Sequence, residues 1–246
     1  MFDALFTTTT EYKKLSHALS GKGACALFGL PASGRAQVYA ALCRQLDKPL
    51  CIVTPGEAEA TRFAADLNTL GIPAAVFPAR DYVLRPIEGT AREYEYRRLA
   101  VLGELVGGRL RAVAVPAEAL TQFTTPKEDF CANTCTLHAG DTLLRDDLLA
   151  ALFGAGYTRR AQVDGPGQFS VRGDIVDIFA PDQKMPVRME FWGDEIDTLH
   201  TFDLTTQRRE DAIDKFYLSP AREVLFGKPA DAAEQLRAFL AKQRGK

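Results

Sequence analysis

The first residues with the spacing of a chemical site are the glycines of the run GLPASGRA, residues 29–36. Gly29 and Gly34 follow a short apolar run, precede a helical pattern and have the spacing of the phosphate loop G-x-x-x-x-G-K-[ST]. That loop needs a lysine for the outer phosphates and a hydroxyl for magnesium, but Arg35 and Ala36 occupy those positions. An anion could still bind the backbone amides at the start of the helix. We therefore expect a degenerate phosphate loop without ATPase activity and no cofactor on this chain.

A metal site is the second chemistry to consider, because Cys131, Cys135 and His138 lie close together in the sequence. A structural zinc site needs four ligands, usually in two close pairs, and no second pair follows. The five cysteines are an odd number spread over half the chain, which favours free, reduced thiols and no metal. The three histidines, His17, His138 and His200, have no spacing that predicts a hydrolytic triad.

Two strand patterns carry the most informative polar residues. In residues 187–192 apolar and polar residues alternate, so Val187, Met189 and Phe191 are predicted to face the core. Arg188, Glu190 and Trp192 then face solvent. Residues 168–179 form a second pattern, in which Arg172 joins Arg188 and Trp192 if the two strands are neighbours.

An exposed tryptophan beside two arginines is typical of protein–protein hot spots. On this interpretation Arg188→Ala abolishes partner binding and leaves the thermal melt unchanged. The alternative is structural: Trp192 seals the edge of the sheet, and Arg188 pairs with Glu190 or with an aspartate. A cation–π contact of an arginine on Trp192 would suit both interpretations.

The elements that position these residues change character along the chain. Residues 24–28, 50–54, 74–77 and 111–115 are apolar strand candidates, and helical patterns cover residues 35–46, 57–70 and 91–105. Apolar strands separated by helices predict a parallel sheet covered on both faces. The prediction is an α/β domain over residues 1–125.

A different pattern begins near residue 126. A helix is predicted at residues 143–153, followed by closely spaced strands and short turns from residue 157 to residue 217. This predicts a smaller α+β domain with an antiparallel sheet over residues 126–217. Residues 218–246 are expected to carry a C-terminal helix at residues 231–242.

Composition excludes several classes. The chain has 246 residues, of which 46% are hydrophobic and 25% charged, and a formal charge of −2. No stretch approaches the ~20 apolar residues of a membrane span, and the first residues do not form a secretory signal. The near-neutral charge argues against a chain that binds mainly nucleic-acid phosphates. We expect a cytoplasmic protein with no membrane partner.

The arginine-rich segment around residue 90 has a simple interpretation. Its arginines alternate with four acidic residues, so we expect a solvated helix and its lead-in, with a DNA-contacting patch as the weaker alternative. These arginines are Arg80, Arg85, Arg92, Arg97 and Arg98. Arg159 and Arg160 could extend a docking surface.

The strand patterns resemble a known family. The runs GQFSVRGDIVDIFAP and PVRMEFWGDEIDTLHTFD, followed by TQR at residues 206–208, are similar to the signature shared by the excision-repair protein UvrB and the transcription-repair coupling factor (Mfd). The run GLPASGRA and its α/β surroundings match the same module in the same order. The degenerate loop, and the short link from residue 82 to the next helix, resemble the coupling factor, because UvrB has an intact loop and a long DNA-clamping hairpin.

The resemblance implies an architecture. Residues 1–125 would be a P-loop-NTPase-like domain (1a), residues 126–217 a UvrB-interaction domain (domain 2), and residues 218–246 the possible start of domain 1b.

It also implies a function: this N-terminal module docks UvrA through Arg172, Arg188 and Trp192, the last at a position usually occupied by Phe. The module would also fold back on the rest of the longer protein and inhibit it. RNA polymerase, DNA, ATP and magnesium would be bound elsewhere in that protein, an ATP-dependent DNA translocase. The alternatives are a fragment of a UvrB-type helicase and a direct DNA-binding module.

Overall fold

The structure, a computed structural model, describes residues 7–21, 24–80 and 92–225. The chain divides into two compact units, one of residues 1–94 and 101–123 and the other of residues 95–100 and 124–246. Both a parallel and an antiparallel sheet are present, which confirms the mixed α/β class. None of the described helices is long and apolar enough to cross a membrane. The helix expected at residues 231–242 lies outside the described residues.

The first unit is a three-stranded parallel sheet with helices on its faces. The sheet has the order β1-β3-β2 and pairs Ile52 and Val76 with Ala114. Its elements are α1 (Thr10–Ser20), α2 (Ala32–Gln45), β1 (Leu50–Thr54), α3 (Glu57–Thr69), β2 (Ala74–Val76), α4 (Glu93–Val106), β3 (Ala112–Pro116) and α5 (Ala117–Leu120). Residues 95–100 of α4 belong to the second unit.

Alternate residues of this sheet enter two cores, as the continuous apolar strands predicted. Ile52 and Ala114 pack with Phe63 and Leu67 of α3. On the opposite side, Val113 and Val115 pack with Val101 and with neighbouring apolar residues. Both faces of the parallel sheet are therefore used to bury apolar surface.

The strand predicted at residues 24–28 is wrong. These residues have no strand conformation, and the Phe28 side chain is 87% exposed. An apolar run becomes a strand only where another strand accepts its backbone hydrogen bonds, and β1 pairs with β3 alone among the described strands. The composition of the run could not predict whether it has a neighbour.

The second unit contains a six-stranded sheet of order β10-β9-β8-β7-β6-β5. Its neighbours are antiparallel except for β5 and β6, which are parallel. The elements are α6 (Lys127–Ala132), β4 (Cys135–His138), α7 (Arg145–Gly154), β5 (Thr158–Arg159), β6 (Gln168–Arg172), β7 (Ile175–Phe179), β8 (Val187–Trp192), β9 (Glu195–Phe202), β10 (Arg209–Ala212) and β11 (Lys215–Leu218). Strands β4 and β11 form a separate two-stranded sheet that the sequence analysis did not predict.

One face of the large sheet is the core of this unit. Val187, Met189 and Phe191 are buried there against Leu148 and Leu152 of α7, as the alternation in β8 predicted. Because side chains alternate along a strand, the polar residues of β6, β7 and β8 lie on the other face, which we call the outer face. The outer face is not polar throughout, because Phe179 and Phe202 also lie on it and are buried with Val163 in a small apolar cluster.

Candidate functional site

Strand register brings the polar residues of the outer face into rows. Ser170 pairs with Asp177, and Asp177 pairs in turn with Arg188 on β8. The next row contains Arg172 and Glu190, both opposite Ile175. The strands of Arg172 and Arg188 are not direct neighbours, because β7 lies between β6 and β8, but the register still places both residues on the outer face.

Both arginines bind the same carboxylate. Arg188 donates from Nε to Asp177 Oδ1 at 2.7 Å and from an Nη atom to Oδ2 at 3.0 Å. Arg172 donates to the same Oδ2 at 2.6 Å. Asp177 is buried, with its side chain 1% exposed, whereas the Arg172 side chain is 47% exposed. Two guanidinium groups on one carboxylate leave a net charge of +1, and the exposed part of that charge is on Arg172.

Arg188 has a second set of contacts that keeps it inside the protein. It donates to the backbone carbonyl of Gln207 at 3.1 Å, and its guanidinium lies 4.7 Å from the centre of the Phe202 ring. Only 10% of its side chain is exposed. The prediction that Arg188 faces solvent is therefore wrong, and the alternative in which it pairs with an aspartate is confirmed.

The Gln207 carbonyl is held in place by a tight turn after β9. Gln207 has a φ of 59°, in the left-handed region that non-glycine residues seldom adopt. Asp203 accepts hydrogen bonds from the backbone N–H groups of Thr205 and Thr206. Those bonds, of which the one from the Thr206 backbone has the largest effect, lower the pKa of the Asp203 carboxyl below its usual value. The turn thus fixes the acceptor that holds Arg188.

Trp192 is the exposed aromatic group of this face. It is the last residue of β8, and 83% of its surface is accessible, so it does not seal the sheet edge. Glu190, two residues earlier, is paired with Arg209. From the register, Trp192 lies two strands from Arg172 and one row further along, roughly 12 Å between Cα atoms. An apolar anchor and a half-exposed cation therefore share the outer face.

Asp177 was not predicted as a site residue, although the sequence contained a signal for it. Asp177 lies in the pattern IVDIF, where an aspartate on an otherwise apolar strand needs a partner. The same alternation that placed Arg188 and Arg172 on one face places Asp177 there too.

The glycine loop has the geometry of a turn before a helix. Gly29 has a φ of +81°, and α2 begins at Ala32 without a side-chain cap. Arg35 is drawn to α3, where it lies 3.8 Å from Glu59 and over the Phe63 ring. Ala36 is buried in the core against α3. Arg35 therefore lies beside an acidic residue of α3, and Ala36 contributes to the core.

The described residues contain no group of three or more His, Cys, Asp or Glu that could hold a metal ion. Cys131, Cys135 and His138, which are all described, do not come together in such a group. Burial raises the pKa of the Cys43, Cys51 and Cys135 thiols, which lowers the thiolate fraction at neutral pH.

In the arginine-rich segment, the prediction for Arg98 is wrong. Arg98 was expected on a solvated helix, but its side chain is fully buried and donates to both carboxylate oxygens of Glu223, at 2.9 and 3.0 Å. It also donates to Thr124, and Glu95 accepts a hydrogen bond from the Glu223 backbone at 2.9 Å. Arg92 and Arg97 are exposed as expected, and Arg85 lies outside the described residues.

Comparison with known proteins agrees with the resemblance seen in the sequence. Residues 135–224 match the model of the UvrB interaction domain family. Transcription-repair-coupling factors from Mycobacterium bovis and Myxococcus xanthus are 37% and 35% identical over 85% and 80% of this chain. The UvrABC system protein B of Chlorobium limicola is 28% identical over 86%. The chain spans 17–18% of the length of these coupling factors and 32% of the UvrABC protein.

Proposed function

Because the chain contains a UvrB interaction domain at residues 135–224 and resembles the N-terminal module of transcription-repair-coupling factors, we propose that its outer face docks UvrA. Within a longer protein this docking would couple excision repair to transcription. The observation that carries the proposal is the pair of exposed groups, Arg172 and Trp192, on one face of the matched domain.

The two exposed groups have complementary tasks. Arg172 bears the accessible part of the excess charge and steers association with an acidic surface, an effect that weakens as salt is added. Trp192 buries a large apolar area when it enters a pocket and so slows dissociation. A planar cation beside an aromatic anchor is a combination that dominates many protein–protein interfaces.

Calorimetric titration of the chain into purified UvrA tests this proposal. We expect the wild-type chain to bind and Arg172→Ala to bind at least about tenfold more weakly, as for an interface hot spot. Arg145→Ala is the matched control, because Arg145 is similarly exposed in the same domain but pairs with the exposed Asp174. Equal affinity of Arg172→Ala and wild type would reject this face. A gel shift with duplex DNA, in which we expect no complex, tests the alternative of a direct DNA-binding module.

We further propose that this chain neither binds ATP productively nor hydrolyses it. The contacts of Arg35 with Glu59 and the burial of Ala36 support this proposal, because position 35 has no lysine for the outer phosphates and position 36 has no hydroxyl for magnesium. Titration with Mg-ATP should give no binding heat, and phosphate release should equal the buffer blank. Tight ATP binding would contradict the proposal and favour a UvrB-type enzyme.

Contacts with other parts of a longer protein belong to the same proposal. If the outer face also binds within that protein, a longer chain should bind UvrA more weakly than residues 1–246 do. RNA polymerase, DNA, ATP and magnesium would be bound by regions outside this chain. Titration of UvrA with both lengths of protein tests the internal contact, and equal affinity would contradict it.

A further inference from the structure

We infer that Asp177 is a positioning residue of the docking surface: it holds the Arg172 guanidinium in the orientation that receives a carboxylate of the partner. This inference rests on the proposed docking function. It also changes the roles expected of Arg172, Arg188 and Trp192. Arg172 and Trp192 contact the partner, whereas Arg188 acts only through Asp177.

Arg172 needs an anchor because of its position. It is the last residue of β6, next to the turn at Gly173, where φ is +61°. A half-exposed arginine at such a site has many rotamers, and fixing them on binding costs conformational entropy. The hydrogen bond of 2.6 Å to Asp177 Oδ2 fixes the guanidinium before the partner arrives.

The anchor leaves most of the guanidinium available. A guanidinium has five N–H donors, and the hydrogen bond to Asp177 uses a single nitrogen of Arg172. The planar arrangement of the remaining donors matches a carboxylate. Since the cluster carries a net charge of +1, an acidic side chain on the partner would neutralise it.

Arg188 has no comparable freedom. Its Nε and one Nη atom donate to Asp177, and the other Nη donates to the Gln207 carbonyl. The Phe202 ring covers one face of the group. Its role is to supply the second positive charge that makes a buried Asp177 tolerable while Arg172 is shared with a partner.

Arg172→Lys separates positioning from charge. Lysine keeps the charge but is a single flexible point donor, which cannot bind Asp177 and a partner carboxylate with the same planar group. We expect Arg172→Lys to bind UvrA about tenfold or more weakly, close to Arg172→Ala, with an unchanged melt. Arg145→Lys, the matched control, should bind like wild type. Full affinity of Arg172→Lys would overturn the inference.

Asp177→Asn tests the anchor itself, with the melt followed in parallel. The amide would turn a donor toward Arg172 or Arg188, so the Arg172 guanidinium would lose its fixed orientation and we expect weaker UvrA binding. In the Arg172→Ala background Asp177→Asn should cause no further loss of affinity, because Asp177 acts through Arg172. A purely structural role would instead lower the melt while the folded protein kept wild-type affinity, and that outcome would reject the inference.

The two levels of the proposal fail in different ways. If Arg172→Ala binds UvrA like wild type, the docking face is wrong. If Arg172→Ala binds weakly but Arg172→Lys binds like wild type, the face is right and the positioning role of Asp177 is wrong. If Asp177→Asn does not fold, Arg172→Lys still decides, because Arg172 lies half-exposed at a strand end.

Discussion

Two buried carboxylates of the second unit bind arginine in contrasting ways. Glu223 is fully buried with one arginine, Arg98, which is itself fully buried. Asp177 is equally inaccessible but binds two arginines, one of which reaches solvent. The first pair is fully buried, whereas the second places part of a surplus positive charge at the surface. The same chemical pair therefore belongs to a core in one region and reaches the surface in the other.

The difference follows from where each carboxylate lies. Glu223 lies in the segment after β11. Its backbone N–H donates to Glu95 of α4, and its backbone carbonyl accepts a hydrogen bond from the Thr125 hydroxyl. Asp177 lies in the middle of the outer face, where the strands on both sides, β6 and β8, each present an arginine to it. Substitutions in the first region should change stability alone, and those in the second should change binding.

The largest expected effect is that of Glu223→Ala. It removes the carboxylate that accepts two hydrogen bonds from the buried Arg98 guanidinium, which costs about 3–5 kcal/mol of unfolding free energy. Urea denaturation measures this loss, and UvrA affinity, measured on folded protein at low temperature, should not change. As a control, Asp174→Ala breaks an exposed pair and should cost less than about 0.5 kcal/mol. A change in UvrA affinity would erase the contrast between the two carboxylates.

Arg188→Ala is expected to have the next largest effect and to change both properties. Asp177 loses its bidentate partner and Phe202 loses its cation, so about 2–4 kcal/mol of stability is lost. This replaces the expectation of an unchanged melt. UvrA binding should weaken because the surplus charge disappears. Arg209→Ala, at a more exposed arginine that pairs with Glu190, is the control and should cost less than about 1 kcal/mol. An unchanged urea midpoint for Arg188→Ala would contradict the geometry of the cluster.

The correction on Arg188 marks the limit of the sequence analysis. Alternation along β8 correctly placed Val187 in the core and Arg188 on the opposite face, because that pattern depends only on local backbone geometry. It could not show that Phe202 and Gln207 cover Arg188, since both come from a later strand and turn. The prediction for Arg98 was wrong for the same reason, because its partner Glu223 is 125 residues away in the sequence.

The predicted strands show the same difference between local pattern and contacts with distant residues. The bounds of β1 and β8 agree with the predicted ranges, 50–54 and 187–192. The run at residues 24–28 and the sheet of β4 and β11 were mistaken or missed. A strand depends on its neighbour, and Cys135 of β4 pairs with Leu218, far along the chain. Local pattern therefore predicts which residues favour strands, and long-range pairing decides which of them form sheets.

Trp192 is the most exposed large hydrophobic side chain of the outer face. Trp192→Ala should weaken UvrA binding by about 2 kcal/mol, roughly 30-fold, because an exposed aromatic anchor is lost from an interface. Its melt should remain within about 0.5 kcal/mol of wild type, since the side chain is 83% exposed. Trp192→Phe should recover most of the affinity. Calorimetry and urea denaturation of the same samples check both quantities, and a destabilised Trp192→Ala would assign the tryptophan a structural role.

The smallest expected effect concerns Tyr157, which contacts Ser219 in the segment that leads to Glu223. The buried hydroxyl of Tyr157 donates to the Ser219 carbonyl at 2.8 Å, and desolvation, followed by the charge of Asp182, raises the pKa of the Tyr157 phenol well above its usual value. A raised folded-state pKa means that the folded protein keeps this proton while the unfolded chain releases it above about pH 10. This contribution to stability is therefore complete below that pH and is lost as the pH rises further.

Tyr157→Phe should cost about 1 kcal/mol near pH 8, where the hydrogen bond is intact. The difference from wild type should narrow above about pH 10, because phenylalanine has no proton to release in the unfolded state. Urea denaturation of both proteins at several pH values measures this narrowing. A constant difference for Tyr157→Phe would mean that Tyr157 ionises in the folded domain, and that the core around Glu223 admits charge as readily as the surface around Asp177.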